Sequence, residues 1–193
     1  MIRRTKLILA SAALALTLTA CGSSEPGPDL RFVLSRTTQA MSIFDKYLKE
    51  KKIEKATDQH MAQFNGFLQK AMNVKPPVYK IPIATKLLKD AKFEGYGDAN
   101  GNGVVDSGEK RLFTVEVDLA NKRLIATDTS GQSTSRGVSG LGFLAGALIG
   151  NLLGRQRASG VTPQSFSNRK VTPPSAYGRA RSRARSGGMF RGK

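Results

Sequence analysis

The chain is short of the side chains from which most catalytic and structural centres are built. A single cysteine, Cys21, excludes any disulfide within the chain. A single histidine, His60, has no second His or Cys with which to share a metal, and it is the only imidazole available to a nucleophile. It reads as a surface residue. Neither a Gly-x-Ser-x-Gly elbow nor a phosphate-cradling glycine loop occurs. Carboxylates are scarce as well, 14 against 31 Lys and Arg, for a formal net charge of +17 over 193 residues. These absences predict a protein that is not an enzyme. Carboxylates from distant parts of the chain could still meet in space, but nothing in the sequence favours that arrangement.

What is present begins with residues 98–109, Asp-Ala-Asn-Gly-Asn-Gly-Val-Val-Asp-Ser-Gly-Glu. A calcium ion takes about six to eight oxygens at roughly 2.3–2.6 Å, and a short chain supplies them by wrapping. Asp98, Asn100 and Asn102 stand at the first, third and fifth positions, and Val104 offers a backbone carbonyl at the seventh. Gly103 at the sixth permits a sharp bend with positive φ. Asp106 falls at the ninth position, where contact often runs through water, and Glu109 at the twelfth is placed to give both carboxylate oxygens. Val105 can turn away into a core. The pattern resembles the calcium loop of the EF-hand family over these twelve positions and no further. By chance it should arise in roughly one window in a million. An Asx- and Gly-rich surface turn would explain the composition, but not Glu109. The resemblance implies Ca2+ as cofactor. Three carboxylates imply modest affinity, roughly the 10⁻⁴–10⁻³ M class. The β-prone residues on either side predict a loop between strands and not between opening helices.

The leader sets the compartment. A basic start, an apolar run over 7–19 of about thirteen residues, and Leu18-Thr-Ala-Cys21 fit a secretory signal too short to span a bilayer. The last four residues resemble the lipobox of bacterial lipoproteins, which implies cleavage before Cys21 and attachment of lipid, with two or three acyl chains, to that cysteine. Several acyl chains make attachment effectively stable. A free or intermolecularly paired thiol is the alternative. Gly22 and Ser23 lack the aspartate that in that family implies retention at the inner membrane, so the resemblance implies the outer membrane, facing the periplasm.

The expected organisation is a signal peptide over 1–20, a lipidated tether over 21–29 and an α+β domain over 30–128. Within the domain, Met41, Phe44, Tyr47 and Leu48, then Met61, Phe64, Leu68 and Met72, recur at helical spacing and predict two amphipathic helices over 34–51 and 54–73. Pro76 and Pro77 end the helical part. Residues 78–83 read as extended, 84–90 are ambiguous between strand and helix, and strands are predicted near 92–97, 111–119 and 123–128, an antiparallel meander.

The remainder changes character. Residues 129–139 read as a Ser/Thr/Gly linker. In the apolar stretch 140–154, Gly142, Gly146, Gly150 and Gly154 recur every fourth residue and would form one smooth stripe on a helix. This run resembles the glycine zipper of some bacterial envelope proteins and implies self-association. It leaves three arrangements open: an inserted helix, a helix lying at the interface, or a flexible strip packed on the domain. Residues 155–193, with basic side chains, no acid and lone aromatics at Phe166, Tyr177 and Phe190, read as a disordered tail whose partners would be anionic lipid or polymer. The expected task is structural or adhesive at the membrane. A calcium-responsive protein-binding module is one alternative, and an exported polyanion or nucleic-acid binder is another, against which the leader argues.

Overall fold

Two apolar stripes at helical spacing bury themselves against one face of a sheet, and that union makes the core. The computed structural model describes residues 27–138 and 146–186, with side chains up to 182. The signal peptide, Cys21, Gly142 and Phe190 lie outside the described residues. The fold is α+β, two N-terminal helices followed by an antiparallel sheet.

Helix α1 runs Leu30–Glu50, four residues earlier than its apolar periodicity predicts, because Asp29 caps it by accepting the Arg31 N–H. Helix α2, Asp58–Asn73, buries Met61, Phe64, Leu68 and Met72 as the spacing predicts. His60 is more than a surface residue. Its Nδ1 accepts the Thr57 N–H at 3.1 Å while the Thr57 hydroxyl accepts the His60 N–H, a reciprocal cap that closes the start of α2.

The strands are β1 (Ile83–Leu87), β2 (Phe93–Gly97), β3 (Arg111–Asp118), β4 (Arg123–Asp128) and β5 (Ser133–Gly137), a meander in the order β1-β2-β3-β4-β5. The ambiguous stretch 84–90 is thus mostly strand. Phe44 of α1, Phe64 of α2 and Phe93 of β2 pack in succession, the first pair tilted and the second edge to face, with ring centroids 5.3 and 5.5 Å apart. Gly95 is required where it is, because a Cβ there would come within 2.2 Å of the Phe113 ring.

The exposed backbone edge of β1 is closed by amide side chains that recur every fourth residue along α2. Asn73 accepts from the Ile83 N–H at 2.8 Å and donates to its carbonyl at 2.9 Å. One turn earlier, Gln69 accepts from the Thr85 N–H, and one turn earlier again Asn65 donates to the Thr85 carbonyl. An edge strand so covered offers no open ladder to another chain.

Three expectations require correction. The linker over 129–139 contains β5. Asp128 accepts from Ser130, its hydroxyl and Gln132 to form the turn, and Thr134 and Val138 are buried. Polar composition hid the strand because an edge strand needs little more than its backbone and one or two buried side chains.

Within 140–154, the described part is helix α3, Ala147–Ala158, whose Leu148, Ile149 and Leu152 are buried in the domain core. Of the three arrangements it is the one packed on the domain, and it is an ordered helix, not a flexible strip. Gly150 and Gly154 face outward with nothing within 4 Å of a built Cβ, while Gly146 is buried, so the three do not form one contact stripe. A Cβ at Gly146 would overlap the Asp45 carboxylate, which lies at the start of α3. Asn151, which interrupts the apolar run, donates to the Ala56 carbonyl at 2.7 Å. Among the described residues no helix is long and apolar enough to cross a membrane.

The tail is likewise not disordered up to residue 186. It forms α4 (Gln164–Ser167) and α5 (Pro174–Ser186). Its lone aromatics hold it down: Phe166 is buried, and Tyr177, also buried, accepts the Leu30 N–H on its hydroxyl at 3.3 Å. Arg169 pairs with the nearly buried Glu116 at 2.6 Å.

Asp29 joins the first turn of α1 to α5. Burial works against its charge, but the Arg31 guanidinium and backbone N–H, with Arg181 behind them, outweigh burial and hold the carboxyl below its ordinary value of 3.8. A depressed carboxyl stabilises the fold above its unfolded value, and that contribution is lost as pH falls through the folded one. Hydrogen exchange is therefore expected to show the amides of α5 and the first turn of α1 losing protection as pH drops below about 4, before those of α2. Simultaneous loss in all three helices would refute the assignment.

Candidate metal centre

The loop over 98–109 is the connection between β2 and β3, and both of its ends are pinned before any side chain is considered. Gly97 donates its N–H to the Lys110 carbonyl at 3.0 Å, and Asp98 donates to the Pro82 carbonyl at 2.9 Å. Three glycines take the left-handed conformation that the wrapping needs: Gly101 at φ 72°, Gly103 at 73° and Gly108 at 94°. At Gly103 a Cβ would also come within 2.9 Å of the Gln69 amide nitrogen.

Inside this frame the alternating side chains fold back on their own backbone. Asp98, 2% exposed, accepts the Asn102 N–H on one oxygen at 3.1 Å and the Gly103 N–H on the other at 2.8 Å. Asn100 accepts the Asn102 N–H at 3.0 Å, and Asn102 accepts the Val104 N–H at 2.8 Å. The amino groups of both asparagines converge on one oxygen of Asp106, at 2.8 and 2.7 Å. Those two donors, Asn100 first, hold the Asp106 carboxyl below its ordinary value.

Glu109 closes the ring. One carboxylate oxygen accepts the Asp106 N–H at 3.1 Å, and the other, Oε1, is buried with no hydrogen-bond partner. A buried, unpartnered carboxylate oxygen costs free energy, so its place in the fold calls for a reason. Among the described residues, no three His, Cys, Asp or Glu side chains gather closely enough to hold a metal by carboxylate and imidazole alone. The sequence pattern would draw the remaining oxygens from the two asparagine amides and the Val104 carbonyl. Val104 itself is 58% exposed, which leaves its side chain without a packing role, and Val105 is half-buried and not fully turned into a core.

Gln69 is a part of the site that sequence reasoning did not pick out. Its amide donates to the Gly103 carbonyl at 2.9 Å while accepting from Thr85 of β1, so it ties the crest of the loop to α2 and the sheet edge. The signal was the four-residue recurrence of Asn65, Gln69 and Asn73 beside an apolar stripe. The loop also borders a cleft of about 660 Å³, whose lining includes Asn100, Asp106, Glu109, Tyr79, Ile81 and Gly27. The start of the described chain therefore lies beside the loop.

Comparison of the chain with protein-family models, with curated proteins and with solved structures returns no match.

Proposed function

We propose that this chain is a non-enzymatic lipoprotein of the bacterial envelope, anchored through Cys21 at the outer membrane, whose α+β domain is clipped by calcium bound in the loop 98–109. The observation that carries the calcium half is Glu109 Oε1, a buried oxygen with no donor, at the twelfth position of a loop in which the Asp98, Asn100 and Asn102 oxygens accept the loop's own backbone N–H groups. Asp98, Asn100, Asn102, Val104, Asp106 and Glu109 would hold the ion. Binding has to displace two amide donors from Asp106, which together with only three carboxylates supports a modest affinity. The ion's role is to tie the β2–β3 connection to α2 through Gln69, a stabilising role without moving helices.

The lipoprotein half rests on the leader and is tested through the thiol. Wild-type protein taken from cell membranes is expected to carry the mass of its acyl chains on Cys21. Cys21→Ser is expected to come off the membrane in high salt without detergent, because the apolar side chains of α3 are turned into the domain. An unmodified Cys21, or a Ser variant that still needs detergent, would overturn the reading.

A second reading has one observation in its favour. The cleft beside the loop is lined partly by Asp106 and Glu109 and partly by the apolar faces of Tyr79, Ile81 and Leu112. A protein segment seated there would sense the state of the loop, as a calcium-responsive binding module does.

A further inference from the structure

The end of the domain from which the N-terminal tether departs is also where its most basic helix lies. Helix α5 carries four arginines and no acid over Pro174–Ser186. Arg181 donates to the carbonyls of both Pro28, at 3.1 Å, and Gly27. The first turn of α1 packs on the same helix: the Arg31 guanidinium lies so close to Gly178 that a Cβ there would come within 2.4 Å of it, and Tyr177 caps Leu30. Beside Arg31, Phe32 is 50% exposed, a large apolar side chain left in water at that same end. Arg179 is exposed, and Arg183 falls one turn further along α5.

From these contacts we infer that the exposed side of α5, with Phe32 beside it, is a membrane-facing surface that seats the domain on anionic phospholipid headgroups. The inference rests on the lipoprotein reading for its geometry. Gly27 lies six chain steps after Cys21, with five residues between them, a reach of at most about 22 Å when fully extended. With Gly27 held by Arg181, that tether confines α5 to the neighbourhood of the headgroups, where each arginine near an anionic surface contributes attraction that decays within about 10 Å. Confinement raises the effective concentration, so that even a weak patch engages. Phe32 supplies the apolar contact that interfacial segments bury at the headgroup boundary. Arg181 does both jobs at once: it fixes the departure of the tether and it fixes which side of α5 remains outward. The cleft beside the loop 98–109 also has Gly27 in its lining, so the calcium clip is carried at the membrane-proximal end of the domain.

The test uses the full mature chain with Cys21→Ser, so that no acyl chain contributes and the result does not depend on acylation. Its partition is measured by cosedimentation with vesicles of phosphatidylglycerol and with vesicles of phosphatidylcholine. Binding to phosphatidylglycerol alone, weakening as salt rises, is expected. Neutralising Arg179 and Arg183 to glutamine should reduce that partition roughly thirty-fold, from about 1 kcal/mol for each arginine lost. Phe32→Ser should weaken it further without altering the salt dependence.

The matched control is Lys51→Gln with Lys52→Gln, which removes the same charge at the far end of α1, about 30 Å away. If that pair weakens binding as much as the α5 pair, the attraction is general and the surface is not where we place it. Equal binding to phosphatidylcholine, no binding at low salt, or tighter binding to a single-stranded oligonucleotide at equal salt would each overturn the inference. Failure of the lipoprotein reading would show separately, as an unacylated Cys21 in protein isolated from cells.

Discussion

Calcium at 10 mM is expected to raise the melting temperature of residues 22–193 by about 3–10 °C, and Glu109→Gln is expected to abolish the rise. An ion that binds only the folded state stabilises it by the logarithm of its concentration over the dissociation constant. At a dissociation constant of roughly 10⁻⁴–10⁻³ M, 10 mM calcium contributes about 1.4–2.7 kcal/mol. A chain of this length moves roughly 2–4 °C for each kcal/mol.

Glu109 is the informative position because its contribution to the metal-free fold is small. One oxygen accepts a single backbone N–H, which a glutamine oxygen can also accept, and the other makes no bond to lose. Asp98→Asn would be a poor choice, since both Asp98 oxygens hold backbone N–H groups and the variant would lose stability without calcium. Magnesium should shift the melt less, because it demands near-ideal octahedral geometry and keeps its waters. Scanning calorimetry with and without calcium checks all three. A flat response of the wild type, or an equal rise in Glu109→Gln, would remove the ion from the account and leave an Asx-rich turn.

Ending the chain at residue 138 is expected to abolish cooperative unfolding, although composition alone makes everything after 128 look dispensable. Leu148, Ile149 and Leu152 are each no more than 1% exposed, and Tyr177 only 2%. Fully burying such an aliphatic side chain is worth about 1.5–3 kcal/mol, so the three from α3 supply roughly 5–9 kcal/mol. The whole stability of a domain is of order 5–15 kcal/mol. Truncation also leaves Glu116 without Arg169, deprives the Val117 carbonyl of its Gln156 donor and exposes the side of α1 on which α3 rests. In the full-length chain, Leu152→Asp should do comparable damage by placing a charge where no partner exists. Circular-dichroism melts of the truncated chain, the Leu152→Asp variant and the intact protein decide the matter. A truncated chain that melts cooperatively near the intact protein would show that the tail merely rests on the domain.

The two helices and three of the five strands, β2, β3 and β4, were legible because their apolar and polar residues follow local sequence patterns, whereas β1 falls mostly on the stretch 84–90 that the sequence left open between strand and helix. Met61, Phe64, Leu68 and Met72 mark one face of a helix, and the apolar–polar alternation in sequence from Phe113 to Asp118, rich in β-formers, marks a strand. The loop 98–109 was legible for another reason: wrapping requires glycine where φ is positive and oxygen-bearing side chains at alternating places, both written in twelve consecutive residues. Strand β5 was not legible, since Ser-Thr-Ser-Arg-Gly has no apolar alternation and pairs through its backbone with β4 on one side and, at Thr134, with Thr172 on the other.

Nor could local pattern foresee that a glycine-rich run would be domain core or that a basic tail would be anchored. Those outcomes depend on partners distant in sequence. Asp45 fits only a glycine at position 146, Ala56 receives Asn151, and the backbone of Gly27 and Pro28 receives Arg181, about 150 residues away. By itself the sequence determined the α+β class, the two helical stripes and the loop with its potential oxygens, because each is encoded by near neighbours. Only the tertiary structure decided that residues 133–138 and 146–186 complete the domain, that Gln69 braces the loop, and that the start of α1, the basic helix and the loop share one end of the molecule. Burial of a few long-range side chains outweighs the polar composition around them, and which side chains those are is known only when distant segments meet.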